Sequence, residues 1–434
     1  MKLYSTKNRS NLVELREAVF KGLPEDNGLY MPTQFPQLDP AWIAQIETHS
    51  FEEIAYEVCR RLFQGYLPES DLRVLIERAI NFPAPVVALD EEVHILELFH
   101  GPSLAFKDFG ARFMAQLMSY FNQEESDELV ILVATSGDTG GAVAAGFLNT
   151  PGIQVVILYP SGKVSPLQEK QLTALGGNIT ALEIDGTFDD CQALVKSAFL
   201  DSELRQQIRL SSANSINIAR LVPQSFYYFE AYKQVVKKDM PVVFIVPSGN
   251  FGNLTAGLFA QRLGLPIHHF IAATNINDVV PSYLETGVFT PRPSVATISN
   301  AMDVGNPSNF VRMLDLYGST WNNLKTNISG YRYTDDQTRS GIKTVFDRYQ
   351  YTIDPHGALG FLAYEAYRQE NPGTIGIILE TAHPAKFSEE VSKVTQKEVD
   401  IPERLAKLAN APKVATPMGI EFSPFRNWLL EKYT

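Results

Sequence analysis

The sequence predicts an α/β architecture with largely parallel sheets, and three observations lead there. From about residue 86 onward, short apolar, β-branched runs alternate with amphipathic helical stretches, the pattern of successive βα units. One of the runs, "ELVILVAT", has the continuous apolar character of a buried strand. Three strand ends carry text rich in glycine and hydroxyls: "TSGDTGG" after 129–134, "PSGNFGN" after 242–246 and "ETAHPAKF" after 374–379. In open parallel sheets, ligands bind at the carboxyl ends of strands.

Taken in order, residues 1–80 read as a loop-rich start followed by helical text. Ile43, Ile46, Ile54, Val58 and Leu62 recur there at helical spacing. Pro83 and Pro85 in "NFPAPVVAL" mark a boundary. "VHILELF" is a strand, and "DFGARFMAQLMSYF" is a helix with Phe109, Phe113, Leu117 and Phe121 on one face. "ELVILVAT" turns through glycines into the helix "TSGDTGGAVAAGFL". "IQVVILYP" is a strand, "SPLQEKQLTALGG" a helix ended by glycine, "NITALEID" a strand and "FDDCQALVKSAFL" a helix. Then come "PVVFIVPSGN" leading into "LTAGLFAQRLG", the strand "IHHFIAATN" and finally "TIGIILETAH".

The chain has 434 residues, 45% hydrophobic and 20% charged, a folded composition long enough for two or three domains. A formal charge of -12 argues against a sequence-independent grip on nucleic acid, though not against a local basic pocket for a small anion. Two cysteines, Cys59 and Cys191, form no paired framework, so a reducing compartment, the cytoplasm, is expected. The N-terminus lacks the apolar run of a secretory signal, and no stretch reaches the roughly 18 apolar residues of a membrane span. Seven histidines show neither HExxH nor a companion CxxC, so no metal site is expected.

"VPSGNFGNLTAG" places glycines where a strand enters a helix, a layout that suits a phosphate because helix N-terminal N–H groups point outward. A tight turn needing glycine for steric reasons would look the same. Neither the dinucleotide fingerprint GxGxxG nor the P-loop is present. In "ATSGDTGGAVAAG", the hydroxyls of Thr135, Ser136 and Thr139 join exposed N–H groups that could hold a carboxylate, or serve as a helix cap. Lys107 stands between Leu104, Ala105, Phe106 and Phe109 at a helix start. Apolar neighbours and the positive end of the helix dipole both disfavour an ammonium ion there. A neutral amine is what an imine-forming lysine supplies, whereas a lysine snorkelling past an aromatic face is the plainer alternative. Together, a desolvated lysine, a phosphate cradle, a carboxylate loop and a strand-end hydroxyl are the parts that pyridoxal phosphate and an amino-acid substrate require.

The chain closely resembles the threonine synthase family of bacterial and fungal type, within the fold-type-II pyridoxal-phosphate enzymes. The matching text includes "GLPEDNGLYMP", "ELFHGPSLAFKDFGARF", "ATSGDTGGAVA", "SGKVSPLQEKQ", "NSINIARLVPQSFYYF", "VPSGNFGN", "AMDVGNPSNFVR", "DPHGALG" and "ETAHPAKF". The resemblance implies a tryptophan-synthase-β-like fold with two open parallel-rich sheets flanked by helices. We expect an N-terminal subdomain (1–85), a large cofactor domain (86–109 and 241–434) and a smaller mobile domain (110–240). Lys107 matches the lysine that bonds to the cofactor, Gly249, Asn250, Phe251, Gly252 and Asn253 match the loop holding its phosphate, and Thr381 matches the hydroxyl facing the ring nitrogen. The Thr135–Asp138 loop occupies the place of the substrate carboxylate and the cofactor's phenolic oxygen. Many fold-type-II relatives carry asparagine where this chain has Asp138, so the role of that carboxylate is open.

The implied reaction converts O-phospho-L-homoserine and water to L-threonine and phosphate. Substrate-phosphate ligands are expected among Lys163, Ser215, Asn217 and Arg220, each with a plainer reading as a surface charge or helix cap. Asp189 and Asp190 fit a helix N-terminus better than a catalytic pair. A phospho-lyase releasing 2-oxobutyrate is the rival enzyme, an inert binding protein of the same fold the rival from another class, and a dehydrogenase is disfavoured by the missing fingerprint. A monomer or homodimer acting on a small molecule, with neither nucleic acid nor membrane as partner, completes the expectation.

Overall fold

The computed structural model describes residues 2–123, 125, 127–135, 137–236 and 240–434. In chain order the strands are β1 (Leu3–Ser5), β2 (Asn8–Val13), β3 (Tyr30–Pro32), β4 (Val86–Ala88), β5 (Val93–Glu97), β6 (Leu129–Ala134), β7 (Ile153–Pro160), β8 (Ile179–Ile184), β9 (Arg209–Ser212), β10 (Val242–Pro247), β11 (His269–Thr274), β12 (Ile328–Arg332), β13 (Ile375–Glu380) and β14 (Thr416–Met418). Among the described residues they form three sheets: a three-stranded one in the order β2-β1-β3, a six-stranded one in the order β12-β11-β10-β13-β5-β4, and a five-stranded one in the order β14-β8-β7-β6-β9. The small N-terminal sheet is antiparallel. The five-stranded sheet is parallel throughout, and the six-stranded sheet is parallel except where β4 meets β5. The expected α/β class is what the strands build.

Strand alternation divides the core. Leu129, Ile131 and Val133 of β6 share one apolar cluster with Phe244 and Val246 of β10, so the inner faces of both large sheets meet in a common core. Val243 and Ile245 face the opposite way, against Ala358, Leu359 and Phe361 of the helix Pro355–Glu370. Val130 and Leu132 pack outward against Cys191, Leu194 and Val195 of the helix Phe188–Leu200. Both cysteines are buried and free. Among the described residues, no helix is long and apolar enough to cross a membrane.

Three expectations need correction. The loop-rich start contains the antiparallel sheet β1–β3, whose strands are short and, in β2, mostly exposed, so they carry little apolar pattern. The helical text around residues 41–67 is broken, because Ser50 and Glu53 form a reciprocal capping box that starts a new helix, Phe51–Leu62. The span 241–434 does not stay with the six-stranded sheet: β14 pairs with β8 of the five-stranded one, and the last helix, Phe422–Tyr433, covers that sheet's outer face through Phe425 and Leu429. A three-residue strand containing Pro417 bears no periodic signal, but it covers the β8 edge over Leu182–Ile184.

The C-terminal helix is thus part of the five-stranded sheet's core. Phe425→Ala is expected to cost about 3–5 kcal/mol in urea unfolding, the usual range for emptying a buried phenylalanine site; a loss below about 1 kcal/mol would show that the helix adds nothing to that core.

Candidate active site

Four segments converge on one cleft of about 580 Å³, within the roughly 300–1,000 Å³ typical of small-ligand sites. They are the start of the helix Lys107–Asn122, the loop after β6, the loop after β10 and the residue after β13.

Lys107 is the first residue of its helix, as its sequence suggested. The preceding chain is tied to the segment after β13. Leu104 takes a left-handed turn (φ 58°), Phe106 N donates to Thr381 O at 2.9 Å, His383 N donates to Leu104 O at 3.1 Å, and Ala105 bridges Ala382. These contacts set Lys107 and Thr381 at fixed positions on the same cleft wall. Burial pushes the Lys107 amine down to about 8; Arg220 and Lys386 push the same way, and the Asp138 carboxylate opposes them. Its Nζ lies 5.9 Å from the Phe106 ring centroid, so the aromatic neighbour contributes mainly by excluding water.

The loop after β10 is braced from within. Asn253 Oδ1 accepts from Ser248 Oγ (2.5 Å) and from Leu254 N (3.0 Å), while its Nδ2 donates to Pro247 O (2.9 Å). Phe251 adopts a left-handed φ of 59°, which turns the chain into the helix Gly252–Arg262. Asn250 Oδ1 accepts from Ser308 N at 3.2 Å. The two glycines differ in their reasons. A Cβ at Gly249 would sit 2.7 Å from Met302 Cα, so packing alone demands glycine. A Cβ at Gly252 would meet only Asn309 Nδ2, at an ordinary 3.5 Å, so the protein's own packing leaves room there. That open cradle above helix N–H groups without intrahelical acceptors fits the phosphate of a cofactor. Thr381, buried and lining the same cleft, presents a hydroxyl and not a charge.

The loop after β6 resolves the question about Asp138. Its Oδ1 accepts from Lys386 Nζ at 2.7 Å and from Gln168 Nε2 at 3.1 Å. Burial alone would raise this carboxyl, but Lys386 and Lys107 outweigh it and hold the group well below the usual carboxylate range. Thr139 lines the cleft. Thr135 does not: its Oγ1 accepts from Gly137 N (3.0 Å) and Gly140 N (2.8 Å), so it caps the turn into the helix Asp138–Phe147 and is removed from the candidate ligands. Ser136 lies outside the described residues.

Among the expected phosphate ligands, Lys163, Ser215 and Arg220 line the cleft. Lys163 is exposed, whereas Arg220 is almost fully buried. Arg220 Nη1 donates to Ala213 O (2.7 Å), and its Nε has no hydrogen-bond partner within the chain. Burial lowers the guanidinium to about 10 against the pull of Asp108. A buried guanidinium with a free donor beside a cleft is a binding group for an anion. Asn217 is a correction. Its Oδ1 caps the helix Ile218–Leu221 through Ala219 N (3.0 Å), and its Nδ2 donates to Val19 O (2.8 Å), which leaves no atom for a ligand. Asp190 forms a capping box with Thr187, as a helix N-terminal carboxylate should.

Sequence reasoning passed over Ser248, Lys386, Gln168 and His356. Ser248 and Lys386 stood inside motifs quoted for other residues, and Gln168 inside "SPLQEKQ". His356 lines the cleft with its Nδ1 2.5 Å from Asp354 Oδ2.

Comparison with known proteins gives the family. Residues 80–380 match the family described as pyridoxal-phosphate dependent enzyme, residues 2–80 the threonine synthase N terminus, and residues 357–421 the threonine synthase C-terminal region. The threonine synthase of Escherichia coli (strain K12) is 44% identical over 432 residues, covering 99% of each chain. A crystal structure of threonine synthase from Escherichia coli superposes with a TM-score of 0.91 at 42% identity over 100% of both chains. The PLP-bound threonine synthase from Brucella melitensis superposes with a TM-score of 0.93 at 34% identity, over 100% of this chain and 99% of that one. With a buried amine at a helix start, a glycine cradle and these full-length similarities in agreement, the chain belongs to the threonine synthase family of pyridoxal-phosphate-dependent enzymes.

Proposed function

We propose that the chain converts O-phospho-L-homoserine and water to L-threonine and phosphate, with pyridoxal phosphate held at Lys107. The observation that carries this reading is the buried Lys107 amine, brought by burial to about 8, in one cleft with the 249–253 glycine loop and with Arg220, whose Nε has no partner within the chain. Bound there, the cofactor supplies an electron sink for negative charge at the substrate α-carbon.

The protein's own groups divide the remaining work. The N–H groups opening the helix Gly252–Arg262 hold the cofactor phosphate, and Asn253 keeps their loop in shape. Thr381, lining the cleft, would offer the cofactor's ring nitrogen a neutral hydroxyl, which would not enforce a protonated ring as a carboxylate would. Lys107, close to half-neutral near pH 8, takes and returns protons at the substrate carbons. Arg220, Ser215 and Lys163 bind the substrate phosphate, the buried guanidinium fixing its position and the exposed ammonium attracting it from solvent. Thr139 and the N-terminal N–H groups of the helix Asp138–Phe147 receive the substrate carboxylate.

Incubation of the purified protein and pyridoxal phosphate with O-phospho-L-homoserine is expected to give threonine and inorganic phosphate in equal amounts. Release of 2-oxobutyrate and ammonia in their place would make the chain a phospho-lyase. Arg220→Met is expected to raise KM for O-phosphohomoserine roughly 10–100-fold, as loss of one charge-assisted hydrogen bond worth about 1.5–3 kcal/mol predicts. An unchanged KM in a variant with native circular dichroism would remove Arg220 from the phosphate site.

A further inference from the structure

Lys386 lies in the short turn Pro384–Phe387 beyond β13, on the opposite sheet from Asp138. The two side chains are 0% and 4% exposed, and they meet at 2.7 Å. Such a pair holds its geometry tightly, because removing either partner strands a buried charge.

We propose that Lys386 is a positioning residue for Lys107: by occupying Asp138 it denies that carboxylate to Lys107 and leaves the Lys107 amine free to shed its proton. The proposal rests on the role assigned above to Lys107. Four charged groups face this region from the elements around it. Asp138 comes from the helix Asp138–Phe147, Lys386 from the turn after β13, Arg220 from the helix Ile218–Leu221, and Asp108 from Lys107's own helix. Lys386 neutralises Asp138, whereas Arg220 feels the charge of Asp108 without forming an ion pair with it. Lys107 is then the surplus cation in a buried site, with no carboxylate of its own. Were Lys386 absent, the buried Asp138 carboxylate would turn to Lys107, its other neighbouring lysine, and stabilise it as an ammonium ion that is neither nucleophile nor base. The same pair fixes the first turn of the helix Asp138–Phe147 against the six-stranded sheet.

The test is competitive labelling of the full-length protein, freed of cofactor, with acetic anhydride across a pH series, the Lys107 peptide being quantified by mass spectrometry. The wild-type midpoint is expected near about 8. Lys386→Met should raise it by about one unit or more, making Lys107 roughly tenfold less reactive at neutral pH. The double variant Asp138→Asn with Lys386→Met should bring it back to the wild-type value or below, whereas a purely structural role for Lys386 would leave the double variant no better than the single one. An unmoved or lowered midpoint in Lys386→Met overturns the proposal. If Lys386→Met does not fold, Lys386→Gln takes its place: it should raise the midpoint likewise, and a midpoint that stays in place or falls overturns the proposal equally. Turnover is read separately, so a wild-type chain that labels as expected yet leaves O-phosphohomoserine unchanged would refute the proposed function and not the role of Lys386.

Discussion

The site depends on one short piece of backbone pairing, the stitch between Leu104–Phe106 and Thr381–His383. Lys107 and Thr381 come from distant parts of the chain, and side-chain packing alone would hold them loosely. Two backbone hydrogen bonds, which together form the Ala105–Ala382 bridge, make their relative position a property of the main chain. The left-handed turn at Leu104 lets the chain leave that pairing directly into the helix Lys107–Asn122, so the lysine is presented on the first residue of a rigid element. The loop after β10 is set independently by Asn253. The cofactor cradle and the amine are therefore each fixed by hydrogen bonds, and the cleft between them is left to the ligand.

Electrostatics inside the cleft run against the protein's overall charge. The chain carries a formal -12, yet Lys107, Lys163 and Arg220 line the cleft and Lys386 stands behind it, against the carboxyl groups of Asp138 and Asp303. A local excess of cations within an acidic protein focuses attraction on the site and suits a phosphorylated amino acid. The two buried lysines differ in their surroundings. Lys386 has a carboxylate at 2.7 Å, whereas Lys107 has burial and two cations acting against its charge. The aspartate where many fold-type-II relatives carry asparagine thus comes with its own compensating cation.

What was legible in the sequence follows from physical range. Lys107, the 249–253 loop and Thr381 are marked by local text, namely a charge among apolar residues, glycines between a strand and a helix, and a hydroxyl at a strand end. The βα alternation was equally legible, because burial on both faces imposes composition on consecutive residues. Contacts across the fold leave no such mark. Lys386 meets Asp138 over a separation of 248 residues, and β14 joins β8 through three residues of no particular pattern. Thr135 and Asn217 show a different limit. A hydroxyl or amide near a helix start reads alike as a ligand or a cap, and only the position of the acceptor decides. In both residues it points to the helix N–H groups.

The layer beneath Thr381 shows how acidic residues can stand next to such a site without acting on it. Glu380 precedes Thr381, and strand alternation turns its side chain to the other face, where Oε1 accepts from Asp354 N at 2.7 Å. Burial and the Asp354 carboxylate push the Glu380 carboxyl well above its ordinary range. Asp354 is itself spent on Gly357 N, at 2.6 Å, as the cap of the helix Pro355–Glu370, and on His356 Nδ1. A Cβ at Gly357 would strike Glu380 Oε2, so the glycine is what lets the capped helix approach β13 this closely. These groups brace the end of β13 from below. Thr381 thus presents its hydroxyl to the cleft while the carboxyl group beside it in sequence is buried and held by Asp354 N.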